Sequence, residues 1–265
     1  MIVCGETSGT DHGYDNIPDE QQSEREIPMP RRARLALVGI PWHIIQRGNN
    51  RSPCFYADED YRRYLGALQE LAKKYGCSVH AYVLMTNHVH LLLTPQKPDS
   101  AALLMKHLGQ RYVQYINRCY RRSGTLWEGR FRSCLVQSED YVLACYRYIE
   151  LNPVRADMVH HPRQYRWSSY RTNGDGVNDA LITPHDEYLR LGRSEDERRA
   201  SYRELFKAHL DPGRMTEIRN ATNGNYALGN QRFKAEIEHA LNRRATPGKS
   251  GRPVRVATVG ARWNG

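Results

Sequence analysis

Apolar positions along the chain fall into short runs and longer helical stripes. Trp42-His43-Ile44-Ile45-Gln46 reads as a strand, set off from the apolar stretch before it by Gly39 and Pro41. Ser78 to Leu84, Asn87 to Leu93 and Phe131 to Gln137 read the same way, with Thr94-Pro95 stopping the third. Between them the period lengthens. Tyr61, Tyr64, Leu65, Leu68, Leu71 and Ala72 line one face of a helix predicted over Asp58–Tyr75, and Gly76 ends it. A second helix is predicted from Ala101 to about Arg122, capped by Ser100. Its buried stripe is Leu104, Leu108, Tyr112, Tyr115 and Ile116; its other face is basic, with Lys106, Arg111, Arg118, Arg121 and Arg122. Ser138, followed by Glu139 and Asp140, starts a third helix that runs to about Leu151, because the residue before Pro153 is disfavoured in helical geometry.

The order is β-α-β-β-α-β-α, and its first six elements match the ferredoxin-like pattern. The predicted fold is therefore α+β: a four-stranded antiparallel sheet with helices on one face. Residues 1–28 show no periodicity and are expected to be a disordered acidic leader. The catalytic domain is expected over 29–185, with Trp167 and Tyr170 pinning its loop-rich end to the core. A helical C-terminal extension follows over 186–244: one helix from Asp186 to Leu210, then one or two more around Gly224-Asn225. A flexible basic tail completes it over 245–265.

Charge sharpens this picture. The formal net charge is +10, yet residues 1–29 hold seven acids and one base, which leaves the rest of the chain at +16. A body this basic points to a polyanionic partner, with nucleic acid the default. No apolar run approaches the length of a membrane span, and the N-terminus has no basic region followed by an apolar core. A cytoplasmic, nucleoid-associated protein is expected. Six scattered cysteines read as free thiols, and Cys77 with His80 is the nearest approach to a zinc pair.

The candidate chemistry sits in two stretches. In Asn87-His88-Val89-His90-Leu91 side chains alternate faces, so His88 and His90 point the same way, about 7 Å apart, and can share one metal ion. The bland alternative is two histidines on the wet face of a strand. In Tyr148-Ile149-Glu150-Leu151-Asn152-Pro153, Tyr148 and Asn152 are four residues apart and share a helix face. The Asn152 amide oxygen can complete a metal site begun by the histidines, unless Asn152 only terminates the helix. Tyr148 then lies beside a metal-bound phosphate, where its phenol can act as nucleophile and conserve the phosphodiester energy in a phosphotyrosine bond. Against this stands a plain packing role, since the chain has 17 tyrosines, Tyr141 and Tyr146 on the same helix.

Four motifs in order, Ile44-Ile45-Gln46-Arg47-Gly48-Asn49-Asn50-Arg51, Leu84-Met85-Thr86-Asn87-His88-Val89-His90-Leu91-Leu92, Trp127-Glu128-Gly129-Arg130-Phe131 and Tyr148 through Ala156, resemble the single-tyrosine transposases of the His-hydrophobe-His superfamily. The REP-associated tyrosine transposases are the most similar branch, and the likeness covers roughly residues 30–170. It implies a Mg²⁺ or Mn²⁺ ion and cleavage and rejoining of single-stranded DNA near hairpins. The strands would be held on a covalent 5′-phosphotyrosine, by a monomer or homodimer with no membrane partner. Carried over by position, Tyr148 is the nucleophile, and His88, His90 and Asn152 are the metal ligands. Thr86 departs from the proline common at that turn. Imidazole suits Mn²⁺ slightly better than Mg²⁺. Arg47, Asn49, Asn50, Arg51, Arg130 and Arg132 are expected along the DNA backbone, and Trp127 either stacks on an unpaired base or packs in the core. The extension is expected to tune DNA affinity and to supply no catalytic group. The competing readings are a non-catalytic nucleic-acid-binding regulator on the same fold and a rolling-circle initiator. The second would use paired tyrosines, and Tyr141 stands two turns from Tyr148.

Overall fold

The structure, a computed structural model, describes residues 33–248. The acidic leader and most of the basic tail lie outside these residues. Five strands form one sheet: β1 (Trp42–Arg47), β2 (Cys77–Met85), β3 (His88–Pro95), β4 (Arg132–Val136) and β5 (Ala227–Leu228). Their spatial order is β2-β3-β1-β4-β5. The first four are antiparallel, with the predicted hairpin between β2 and β3. β5 adds a fifth strand, parallel to β4, with Leu135 opposite Ala227. This strand belongs to the C-terminal extension, so the extension is continuous with the sheet. Two residues are too short a run to show any alternation in sequence.

The helices are α1 (Asp58–Tyr75), α2 (Ser100–Cys119), α3 (Ser138–Glu150), α4 (Asn152–Arg155), α5 (Tyr170–Asp175), α6 (Asp186–Leu189), α7 (Glu195–Leu205), α8 (Pro212–Gly224) and α9 (Gln231–Leu241). α1 ends as predicted on Gly76, whose φ of 64° is the left-handed conformation that glycine adopts without a Cβ penalty. Buried Asp60 joins α1 to α2 by accepting from the hydroxyls of Tyr115 (3.0 Å) and Tyr120 (2.9 Å). The helix predicted from Asp186 to Leu210 is broken. Ser194 caps α7 and Glu197 reaches back to the Ser194 and Arg193 amides, a capping box that restarts the helix.

The register of β1 against β3 sorts the sheet into two faces. His43, Ile45 and Arg47 share one face with their partners Leu92, His90 and His88. Trp42, Ile44 and Gln46 share the other with Leu93, Leu91 and Val89. α1 and α2 pack together on the second face, where the Gln46 amide approaches Gly109 of α2. α3 and α8 lie on the histidine face, where Tyr148 and Thr222 touch His43. Helices on one face thus describes α1 and α2 only. The segment 160–185 runs along the β2 edge, and Trp167 and Tyr170 pin it to the core as expected. Trp167 stacks on Tyr61 with centroids 4.5 Å apart, Ser168 bridges to Val83, and Tyr170 is buried.

Candidate active site

The two histidines of β3 lie on one sheet face, as their alternation predicts. Their ring centroids are 5.1 Å apart and nearly perpendicular. The His88 tautomer follows from its neighbours. The Asn87 amide donates its Nδ2–H to the Arg51 carbonyl at 3.0 Å, which fixes which way the amide faces. Asn87 Oδ1, 2.7 Å from His88 Nδ1, must then accept, so the proton sits on Nδ1 and the lone pair on Nε2. Arg51 is held at a φ of 58°, an uncommon conformation for a non-glycine residue, in a turn tied to this strand through Asn87. The turn comes this close because of Gly48. Its N–H donates to the Asn87 carbonyl at 2.8 Å, and a Cβ there would lie 2.2 Å from Ser52 O.

His43, which sequence reasoning passed over, completes the imidazole cluster. Its Nε2 is 2.9 Å from His90 Nδ1 and its Nδ1 is 2.8 Å from Thr222 Oγ1. The rings of His43 and His90 are tilted only 15° from each other. Burial, then the Arg155 charge, pushes His43 down to about 3. Burial, then Arg47 and Arg155, pushes His88 down to about 4. His90 is held well below its ordinary value by burial first and by His43 and His88 next. All three are therefore neutral at physiological pH, the state in which imidazole ligates a metal.

Tyr148 meets this cluster edge-on. Its ring centroid is 5.6 Å from that of His43 and 5.7 Å from that of His90. Arg155 lies over the phenol face, 4.5 Å from the centroid, and donates to the Tyr148 carbonyl at 2.7 Å. Asn152 Nδ2 donates to the carbonyls of Tyr148 (3.0 Å) and Ile149 (3.2 Å), so it does close the helix end. That use consumes its N–H donors and leaves Oδ1, the atom a metal would take. Among the described residues no three His, Cys, Asp or Glu side chains, the histidine cluster included, are grouped so as to hold one metal ion. Two neutral imidazoles with an amide oxygen are, as donor types, a set that suits a Mn²⁺-like ion better than a structural zinc site. His80 is not a zinc ligand: its ring nitrogens lie 2.7 Å from Thr183 O and 2.8 Å from Thr94 Oγ1. The five described cysteines are free thiols.

The other two tyrosines of α3 are occupied elsewhere. Tyr146 is fully buried and its hydroxyl accepts from the His185 amide at 3.3 Å. Tyr141 donates to Glu217 at 3.3 Å under the Arg214 guanidinium.

Arg47, Arg51, Arg130 and Arg132 line one open cleft of about 270 Å³ with Ile45, Glu128 and Asn223. Among the described residues none of the four is in an ion pair. The cleft borders the histidines, because Arg47 pairs with His88 across the sheet. Asn49 and Asn50 are exposed in the adjoining turn. Trp127 takes its packing alternative. It is 5% exposed, with its ring 6.0 Å from Tyr112 and 6.4 Å from Tyr64. A larger cavity of about 580 Å³ lies on the opposite sheet face against α2, away from the histidines. Part of the basic face of α2 is used internally, where Arg111 pairs with Glu70.

Residues 37–152 match the family model described as transposase, IS200 like. That segment contains His88, His90, Tyr148 and Asn152, and it carries the likeness to this family that the motifs led us to expect. A protein of Haemophilus influenzae (strain ATCC 51907 / DSM 11121 / KW20 / Rd) described as "Putative REP-associated tyrosine transposase" is 23% identical over 126 residues, 43% of this chain and 71% of the relative. A solved REP-associated tyrosine transposase bound to a REP hairpin is similar in structure with a TM-score of 0.48 at 17% identity, over 59% of this chain and 93% of the other. No described helix is long and apolar enough to cross a membrane.

Proposed function

We propose that the chain is a transposase that cleaves and rejoins single-stranded DNA at hairpin-flanked sites, with Tyr148 as nucleophile. The observation that carries the reading is the packing of the Tyr148 ring against two imidazoles of a neutral histidine cluster, beside a cleft lined by four arginines. In the first step a bond forms between Tyr148 Oη and the scissile phosphorus and the bond from phosphorus to the 3′-oxygen breaks. The phenolic proton leaves Tyr148, and the departing 3′-oxygen ends as a hydroxyl. Rejoining runs the same exchange in reverse with a 3′-hydroxyl as the attacking group. Neither step consumes a nucleotide, because the phosphotyrosine linkage keeps the energy of the phosphodiester.

His88, His90 and Asn152 would hold a divalent cation, which supplies charge stabilisation at a phosphate oxygen. The chain's own residues supply the rest. Arg47, Arg51, Arg130 and Arg132 track the backbone. Arg155 adds positive charge beside the phenol, and Asn152 and Arg155 fix the helix end that aims it. A hairpin substrate is what the resemblance of the four motifs implies. The test incubates the protein with labelled single-stranded hairpins from the flanks of its own gene and Mn²⁺. A protein–DNA adduct should survive denaturing electrophoresis, vanish on protease digestion and be missing with Tyr148→Phe. If wild type forms no adduct across several hairpins yet binds them, the chain is a non-catalytic binding protein.

A further inference from the structure

We propose that Thr222, on α8 and outside the family-matched segment, is a positioning residue that sets the proton order of His43 and His90. It thereby turns a lone pair of His90 outward to the cation. The inference rests on the metal-dependent reading above.

The hydrogen bonds run in one line, from the Ile218 carbonyl through Thr222 Oγ1 and His43 to His90. Thr222 Oγ1 is 2.8 Å from Ile218 O and 2.8 Å from His43 Nδ1, and His43 Nε2 is 2.9 Å from His90 Nδ1. Two neutral imidazoles in series can carry their protons in either direction. In one, Thr222 donates to His43 Nδ1, His43 Nε2–H donates to His90 Nδ1, and His90 ends with a proton on Nε2, where it cannot ligate. In the other, His43 Nδ1–H donates to Thr222, His90 Nδ1–H donates to His43 Nε2, and His90 Nε2 carries the free lone pair.

Thr222 chooses between them. A hydroxyl has one proton and two lone pairs. Its proton goes to the Ile218 carbonyl one turn back, a common back-bond of threonine in helices. The oxygen is then left to accept, from His43 Nδ1–H and from the Cys134 thiol at 3.2 Å. Every hydrogen-bonding position of the hydroxyl is filled in this direction. Thr222 is 2% exposed and His43 1%, so water does not compete for these positions. The second direction also puts His90 in the same protonation pattern as His88, whose Nε2 lone pair is fixed independently by Asn87. Both ligands of β3 then offer Nε2. Partners of this kind, one bond behind the ligand, typically change metal affinity by about 10–100-fold when removed.

The test has a direct and a mutational arm. In wild-type protein, side-chain ¹⁵N spectra should show His43 and His90 both protonated on Nδ1. Thr222→Val removes the acceptor, so the His43 and His90 nitrogens should shift and the Mn²⁺ dissociation constant, read from free Mn²⁺ by electron paramagnetic resonance, should rise about tenfold or more. Thr222→Ser restores the hydroxyl and should recover both readouts. Hairpin binding without metal should stay unchanged in both variants. A wild-type His90 protonated on Nε2 overturns the inference whatever the variants do, including a Thr222→Val that fails to fold. Normal Mn²⁺ affinity and unchanged ¹⁵N shifts in a folded Thr222→Val also overturn it, while leaving the transposase reading intact if the adduct still forms. Wild type that binds no Mn²⁺ and forms no adduct removes the reading and the inference together.

Discussion

Glu150 is the last residue of α3, between Tyr148 and Asn152 in sequence, and it is fully buried. Its carboxylate accepts from Ser169 Oγ at 2.6 Å, Asn173 Nδ2 at 2.8 Å and Tyr202 Oη at 2.6 Å, which ties α3 to α5 and α7. Burial is the larger influence and raises it to about 7, while the three donors pull it back down. The unfolded chain releases this proton near the ordinary value of 4.5. Between those values the folded state holds a proton that the unfolded state has lost, so stability falls as pH rises from 4.5 to about 7 and is flat above it. The gap is worth about 3 kcal/mol at most. The histidines act with the opposite sign. Below 6.5 the unfolded chain takes up protons that His88, at about 4, and His43, at about 3, refuse until the pH is lower still, so stability falls on acidification. Glu150→Gln keeps acceptor oxygen and volume and removes the ionisation. Urea unfolding of both proteins at several values between about pH 5 and about pH 8 should show the variant gaining on wild type by up to about 3 kcal/mol as pH rises. Covalent adduct formation should persist. A variant-minus-wild-type difference that does not change with pH would refute the account of Glu150. Glu150→Ala should be much worse at every pH, since it leaves three buried donors unpaired at about 1–3 kcal/mol each.

Tyr148→Phe deletes one oxygen, so the fold should survive and the adduct vanish on denaturing gels. Phenylalanine at 141 or 146 should leave the adduct intact, with some loss of melting temperature at the buried position 146. Alanine at His88 or His90 should remove metal-dependent cleavage while hairpin affinity in gel shifts persists, because binding rests on phosphate contacts. Glutamine at Arg47, Arg51, Arg130 or Arg132 should each lower the slope of log K against log salt by about 0.7, the value for one single-strand phosphate; an unchanged slope would move the DNA elsewhere. Truncation after Leu210 should cost stability and Mn²⁺ affinity together. It removes buried Ile218, Leu228 and Ile237 along with Thr222, and a stable fragment with full metal affinity would contradict this.

The periodic stretches were legible as they stood. Alternation puts His88 and His90 on one face whatever the sheet around them does, and the spacing of four puts Tyr148 and Asn152 at one helix end. The helix over Asp58–Tyr75 was readable to the residue because an apolar stripe, acids in its first turn and a left-handed glycine all agreed. Capping was the weaker guide. The break between α6 and α7 was written in Ser194 and Glu197, but the continuous charge pattern across them argued for one helix.

Other features needed the folded chain. His43 is an ordinary strand residue until β1 pairs with β3 and brings its Nε2 to 2.9 Å from His90. The sole hint was that it shares the alternating face of Arg47. Arg155 stands two turns beyond Tyr148, yet only the turn into α4 lays its guanidinium over the phenol. Trp127 had two balanced roles, and only the fold shows its ring packed beside Tyr64 and Tyr112. Thr222 lies 179 residues from His43 in the chain. Local patterns arise from bonds and spacings within a few residues, so the chain by itself determined its strands, its helices and the identity of its chemically competent side chains. Contact between distant segments depends on which faces are buried against each other. Only the tertiary structure decided that α8 closes over the histidine face and reaches the imidazoles with a hydroxyl.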